Sequence, residues 1–302
     1  MILIKIIAQI IKVFNSKEKA AFFLYQFNQY NDAAKLYLEE KNFMMAKYAY
    51  QRLGNYFLAG QVCREELKVI IKSNRESHGY TTSEACENFI KANAINDVID
   101  VLIFHFKNKG GIPSGFDENI LPALVNNGHI DQFAHAYSLI QFSDANTSVA
   151  EGLKDIGRPD LALLILKSFF SKEKDKDTKS YIVSCICDLN LPEAIDFVSN
   201  LLLNSHEINI LTTSLFELKK RGFSISVQPI ISFIEKPPML NELEEGNKLY
   251  FLYEVAFTFL GESGVSEAEV YLKEISKRGK SWPNNYFSYE INDALTKIRA
   301  EK

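Results

Sequence analysis

The chain has 302 residues, 47% of them hydrophobic and 24% charged, with a formal net charge of −4; such a composition excludes a largely disordered chain and can bury a large core. Only 14 Gly and 8 Pro stand against 22 Phe and 14 Tyr, which argues against a loop-rich sandwich or barrel and for a chain dominated by helices. Four cysteines with no CxxC and no paired Cys/His spacing exclude a disulfide scaffold, so a reducing, cytoplasmic compartment is expected.

The first element is the apolar run MILIKIIAQIIKVF. Lys5, Gln9 and Lys12 fall at i, i+4 and i+7 and form one narrow polar stripe, while Ile2, Leu3, Ile6, Ile7, Ile10, Val13 and Phe14 cover the remaining circumference. The spacing predicts a helix that buries nearly all round. Its apolar stretch is too short for a membrane span of roughly 20 residues, and it lacks a basic leader and a small-residue cleavage site before Lys17-Glu18-Lys19. Ile2, Leu3, Ile6, Ile7, Ile10 and Phe14 are the candidate assembly residues, docking on the chain's own repeats or on a second subunit. An interfacial membrane helix is the less favoured alternative, because its polar face is usually broader and more basic.

Next comes a repeat of 13 residues: KEKAAFFLYQFNQ from Lys17, YNDAAKLYLEEKN from Tyr30, FMMAKYAYQRLGN from Phe43 and YFLAGQVCREELK from Tyr56. Ala20, Ala33, Ala46 and Ala59 share a column. Phe23, Leu36, Ala49 and Val62 follow three residues later, and Leu24, Tyr37, Tyr50 and Cys63 four later. An i, i+3, i+4 set is one face of an α-helix, so each unit is predicted to be a short helix whose alanine admits a close neighbour. Gln29, Asn42 and Asn55 close the first three units, and Gly54 can take a positive φ at a helix end. Helices joined by such tight turns run antiparallel and stack.

The order of an aromatic, Ala three residues on, a large residue and then Asn or Gly before the next aromatic, as in Tyr30-Asn-Asp-Ala33 and Phe43-Met-Met-Ala46, resembles the short-helix repeats of the tetratricopeptide-like class over residues 17 to about 72. That class builds on 34-residue helix pairs with a Trp, Leu-Gly and Tyr pattern, whereas this chain has a single Trp, at position 282. The resemblance implies an α-solenoid that offers a concave surface to peptides or proteins, and it transfers no catalytic residue.

Past residue 72 a looser unit of about 30 residues takes over. Gly128-His129-Ile130-Asp131, Gly157-Arg158-Pro159-Asp160, Asn190-Leu191-Pro192-Glu193 and Gly264-Val265-Ser266-Glu267 each put a turn residue before an acidic one and an apolar run, which marks helix starts. Capping-box spacing recurs at Thr81 with Glu84, Ser148 with Glu151 and Ser266 with Glu269. The unit persists less regularly through Gly222 and Gly264, and this part resembles degenerate HEAT-like or tetratricopeptide-like pairs. Loops are expected at Arg75 to Tyr80, Asn108 to Gly115, Ser171 to Ser180 and Glu235 to Asn247, and Ile291, Leu295 and Ile298 suggest a polar C-terminal cap. The predicted fold is therefore all-α, an α-solenoid of about 16 to 18 antiparallel helices. It comprises an apolar helix (1–16), tight repeats (17–74) and irregular pairs continuous with them (75–302).

Motifs for chemistry are sparse. There is no GxxxxGK[ST], GxGxxG or GxSxG, and the five histidines form no HExxH. His129 and His135 lie on different helical faces, Cys185 and Cys187 read as small buried residues, and the acids Glu39-Glu40, Glu65-Glu66 and Glu242-Leu-Glu-Glu245 read as solvated faces. No catalytic residue, metal or cofactor is assigned. Residues 1 to 74 carry 11 Lys/Arg against 6 Asp/Glu, so the remainder is acidic. The expected function is a noncatalytic scaffold or adaptor, or a subunit of a larger complex, that binds a protein or peptide segment, with an acidic partner favoured over nucleic acid. Tyr25, Tyr30, Tyr48 and Tyr56 are the candidate anchors, with Lys35, Lys47 and Arg52 steering. The alternative is a helical-repeat enzyme or nucleic-acid-binding protein whose site is assembled from distant repeats.

Overall fold

A computed structural model describes the chain apart from residues 1, 15, 74–77, 141–144, 221–226, 237–247 and 301–302, together with the Phe14 side chain. Gly222 and the acids of Glu242 to Glu245 therefore lie outside the described residues. Those that are described form 18 α-helices, one π-helical turn and no strand, an all-α helical-repeat fold in which neighbouring helices pack on one another. The chain divides into two units, residues 1–168 and 169–302, a boundary that falls inside one helix and that the repeat pattern does not mark.

The first unit holds α1 (Ile2–Phe14), α2 (Lys17–Gln26), α3 (Tyr30–Glu39), α4 (Phe43–Arg52), α5 (Tyr56–Lys72), α6 (His78–Lys91) and α7 (Ile95–Lys107). After α7 come the π-helical turn Phe116–Ile120, α8 (Leu121–Asn126), α9 (Ile130–Ser138), α10 (Asn146–Asp155) and the greater part of α11 (Pro159–Lys172). The 13-residue register is realised residue for residue, since α2 to α5 each begin at the first position of a unit. All four column alanines are fully buried, and Leu24, Tyr37, Tyr50 and Cys63 are buried with them.

The stops between these helices share one design. Asn28, Lys41 and Gly54, at the same position of successive units, take φ of 57°, 58° and 76°. The next residue's amide then reaches back to the last turn: Gln29 N to Leu24 O at 2.9 Å, Asn42 N to Tyr37 O at 2.8 Å and Asn55 N to Tyr50 O at 2.9 Å. This left-handed stop satisfies carbonyls that the helix end would otherwise leave open. The chain then restarts at once, with Ser16, Asn42 and Asn55 accepting from Lys19 N, Met45 N and Leu58 N. Asn93, Gly128 and Gly157 repeat the stop farther along.

Alternate helices run in the same direction, and polar links tie them. Lys5 and Lys12 of α1 meet Asp32 and Glu39 of α3, at 2.6 and 3.6 Å. Gln61 and Arg64 of α5 both reach Asp97 of α7, at 3.4 and 3.1 Å. Arg158, just before α11, holds Asp131 of α9 through two bonds of 3.1 and 2.7 Å.

The second unit contains the end of α11, α12 (Lys176–Cys187), α13 (Pro192–Asn204), α14 (Ile208–Lys220), α15 (Gln228–Glu235), α16 (Lys248–Gly261), α17 (Ser266–Ile275) and α18 (Asn284–Ala300). The same linkage recurs here, with Lys179 to Glu207 at 3.1 Å, Asn209 to Asp177 at 3.1 Å and Lys219 to Glu262 at 2.7 Å. Its core is aromatic: Tyr253 stacks on Phe233 at 4.7 Å and meets the Trp282 edge at 5.2 Å, and Trp282 Nε1 donates to Ile234 O at 2.7 Å. The α16–α18 crossing depends on a missing side chain. A Cβ on Gly261 would lie 2.7 Å from Ala294 Cα and 2.9 Å from its carbonyl oxygen. Gly261→Ala is therefore expected to push these helices apart and cost about 1–3 kcal/mol, read as a lower urea midpoint at unchanged helicity.

Several sequence expectations meet a different outcome. The helix starts at Ile130, Pro159, Pro192 and Ser266 are found, and Ile291, Leu295 and Ile298 are buried on α18. None of the three capping boxes forms, because Thr81 and Ser148 lie inside α6 and α10 and Ser266 is already helical, after an N-cap at Val265. The charged run Ser171 to Ser180 is mostly helix; only residues 173–175 connect α11 to α12, and Asp175 caps α12 by accepting from Thr178 N at 2.7 Å. Helix α1 forms, and within the single chain it is covered on one side. Its lysines turn toward α3, and Ile2, Leu3, Ile6, Ile10 and Val13 face outward, while Ile7 is half-buried.

Candidate interaction surface

In the column of the repeat that holds Ala21, Ala34 and Gly60, α4 carries Lys47. The backbone places that position inside the stack, and Lys47 is only 4% exposed. Its ammonium forms an ion pair with the Glu84 carboxylate of α6 and lies 4.9 Å from the centre of the Tyr48 ring. One turn farther, Gln51 donates to Asn88 Oδ1 at 3.0 Å, and the Asn88 amide donates to the Glu84 carbonyl at 2.7 Å. Two pairs four residues apart on each helix thus fix α4 against α6.

Electrostatics follow from this burial. Desolvation alone would push the Lys47 ammonium down, but the hydrogen bond and charge of Glu84 outweigh it and hold the lysine above its usual value. Glu66 of α5 lies near both groups; burial raises it, Lys47 opposes and Glu84 adds. The Cys63 thiol behind them is pushed up to about 12, mainly by burial and then by Glu84. A lysine kept protonated donates hydrogen bonds and is no amine nucleophile, and a thiol so raised is not a thiolate at neutral pH. What faces outward is aromatic: Tyr48 is 43% exposed and Tyr80 is 68% exposed. The Tyr80 hydroxyl sits beside Glu84, whose charge holds it above the ordinary phenol range. Two rigid rings with polar tips, set around a desolvated ion pair, form a surface suited to recognition.

The residues singled out from sequence are scattered over this unit. Tyr48 belongs to the cluster, and Lys47 lies beneath it, committed to Glu84 and so not a free steering charge. Tyr25 and Tyr30 are half-buried and pack edge to face at 5.2 Å, with the Tyr30 hydroxyl donating to Asn28 Oδ1 at 2.6 Å. Tyr56 is half-buried in a shallow cleft of about 370 Å³ beside Leu53, Phe57 and Lys91, whose ammonium lies 5.7 Å from its ring. Lys35 and Arg52 are exposed. Lys35 stands at the rim of a cleft of about 330 Å³ between α1 and α3, where Lys5 and Lys12 are already paired. Tyr80, Glu84 and Glu66 were not singled out as binding residues. The repeat register held one signal for them, a lysine in a column otherwise reserved for Ala and Gly, which demands a buried counter-charge.

A second polar cluster was also missed. His105 of α7 is fully buried. Its Nε2 lies 2.7 Å from Gly111 O, an atom that only accepts, so Nε2 carries the proton. Its bare Nδ1 faces the Thr82 hydroxyl at 2.8 Å and His78 Nδ1 at 3.0 Å. Burial chiefly pushes His105 down to about 4, with the His78 charge adding and the bond to Gly111 opposing. The ring pins the Asn108–Gly115 loop, and Gly110 is obligatory there because a Cβ would fall 2.2 Å from His105 Nε2.

Among the described residues, no group of three or more His, Cys, Asp or Glu side chains is placed to hold a metal ion, and no helix is long and apolar enough to cross a membrane. No protein-family model, curated protein or solved structure matches the chain.

Proposed function

We propose that the chain is a noncatalytic helical-repeat adaptor of the tetratricopeptide-like kind, which binds a segment of another protein over Tyr48 and Tyr80. The observation that carries this reading is the pair of exposed tyrosine rings held on α4 and α6 around the buried Lys47–Glu84 ion pair. Tyrosine buries a large rigid surface at small entropic cost, and the ion pair fixes the spacing of the helices that present it. Exposed Lys35 and Arg52 on the same unit favour a segment with acidic residues at its ends. A cytoplasmic location suits four thiols with no disulfide among them.

The test is a displayed library of random peptides selected on the immobilised full chain and counter-selected on a Tyr48→Ala/Tyr80→Ala variant. Both tyrosines are exposed, so the variant is expected to keep its helicity and melting temperature. Enriched peptides carrying acidic residues, with affinity at least ~10-fold weaker for the variant, are the expected result. Failure to enrich, or peptides that bind both proteins equally, would refute this surface.

A further inference from the structure

The outward side of α1 carries a patterned stripe. Leu3, Ile6, Ile10 and Val13 are 69%, 51%, 52% and 73% exposed, and Ile2 is 78% exposed beside them. Their spacing of three, four and three residues is the seam spacing of helices that pack along their length. Among the described residues no helix of this chain covers it. The orientation is imposed from the other side: Lys5 and Lys12 are seven residues apart, as are Asp32 and Glu39 on α3, and the two ion pairs lock the rotation of α1 about its own axis.

We infer that this stripe is the seam of a two-fold dimer, in which α1 lies antiparallel to α1 of a second copy of the chain. Symmetry is the first ground for that occupant. Leu3 and Val13 are equidistant from position 8, and so are Ile6 and Ile10. An antiparallel copy centred at that level sets Leu3 against the other copy's Val13 and Ile6 against its Ile10, which is the self-complementarity a two-fold interface requires.

Charge is the second ground. Lys5 and Lys12 are the only charged residues of α1, and both are paired within the chain. In the antiparallel register Lys5 comes within one residue's rise, ~1.5 Å, of the level of the other copy's Lys12, but both lysines turn to α3 of their own chain and so stay out of the seam. An anionic membrane or an acidic partner would instead call for uncommitted cations along this face. Direction is the third ground. Successive helices of the repeat alternate, and a helix antiparallel to α1 on its outer side continues that alternation. The exposed parts of the five side chains amount to roughly 600 Å² per copy, so the pair reaches the lower end, ~1,200 Å², of specific interfaces. A reversible dimer of micromolar affinity is the corresponding strength. The inference involves none of the residues of the tyrosine surface and stands apart from it.

The experiment is sedimentation equilibrium of the full chain over a wide concentration range, with circular dichroism on each variant. The mass is expected to rise from 34.4 kDa toward twice that value. Ile6→Glu with Ile10→Glu places four carboxylates in the seam and is expected to weaken association by ~100-fold or more, with helicity retained because both side chains are exposed. Register is read separately with differently tagged chains carrying Ile6→Cys or Ile10→Cys, each in a Cys185→Ser background. On oxidation the mixed chain pair is expected to dominate over either self-linked product. Four results would overturn the inference: a chain that stays monomeric throughout, a dimer indifferent to the glutamates, predominant self-linking of Ile6→Cys chains, or a monomer that binds phosphatidylcholine vesicles through these isoleucines.

Discussion

Lys47→Ala is expected to destabilise the chain by about 3 kcal/mol, the largest loss from any single substitution on this surface, because breaking a buried ion pair leaves its other half uncompensated. The cost is not a packing cost in the usual sense, since Ala and Gly occupy the equivalent position in three other units. It comes from stranding the Glu84 carboxylate between α4 and α6, near Glu66, with no cation beside it. Glu84 is partly exposed, which keeps the figure at the lower end of the range for such pairs. Glu84→Gln strands the ammonium instead, and without its carboxylate the burial that acts on Lys47 would lower its titration. Replacing both partners with apolar residues, Lys47→Met with Glu84→Leu, is expected to recover most of the loss, as buried pairs are frequently no better than well-packed hydrocarbon. Urea unfolding of the two single variants and the double gives a cycle that isolates the pair. Equal stability of wild type and Lys47→Ala would show that the pair contributes nothing. The sign with pH is fixed by the raised titration of Lys47: its contribution is complete at neutral pH and is lost as pH rises above about 10.5, through the folded-state value.

Acid is expected to weaken the fold through His105. A histidine near 4 in the folded chain and 6.5 when unfolded binds its proton more readily in the unfolded state. Stability therefore falls as pH drops through that window, by ~3 kcal/mol in all. Carboxylates titrate over the same range, so the informative quantity is the difference between wild type and His105→Gln. The variant retains an amide donor for Gly111 O and cannot protonate. It is expected to be less stable at pH 7 and to lose ~3 kcal/mol less than wild type between pH 7 and pH 4. Parallel stability–pH curves for the two proteins would rule out the buried neutral histidine. Structurally, protonation would drive a cation into a ring contact with His78 and Thr82, so the Asn108–Gly115 loop should exchange its amide hydrogens faster at low pH.

Much of the architecture is legible in the residues because the 13-residue period is written in volumes. Ala20, Ala33, Ala46 and Ala59 recur where helices touch, and their burial is complete. The turns were less legible. Gly54 announces a positive φ, but Asn28 and Lys41 adopt the same conformation, the lysine because the backbone bonds of the stop outweigh its local preference. The capping boxes misled because Thr81-x-x-Glu84 matches a local motif while Glu84 answers to a lysine 37 residues away. The orientation of α1 was not legible for a similar reason. Its polar stripe reads only as a narrow break in an apolar helix until Asp32 and Glu39 are recognised as its complement on the next helix but one. The tyrosine surface was half visible, through Tyr48 alone, since Tyr80 lies past residue 72, where the register no longer predicts position.

The links of a helix to the next but one, as in α1–α3, α4–α6 and α5–α7, also limit how such a chain can lengthen or shorten. Loss of the α2 unit would seat α4 where α3 stands and set Met45 and Arg52, at the equivalent positions, against Lys5 and Lys12 in place of Asp32 and Glu39. Links that lie wholly to one side of such a change keep both partners, whatever the number of units lost or duplicated. The charged links therefore act as register marks, and a unit is lost without penalty only where no link spans it.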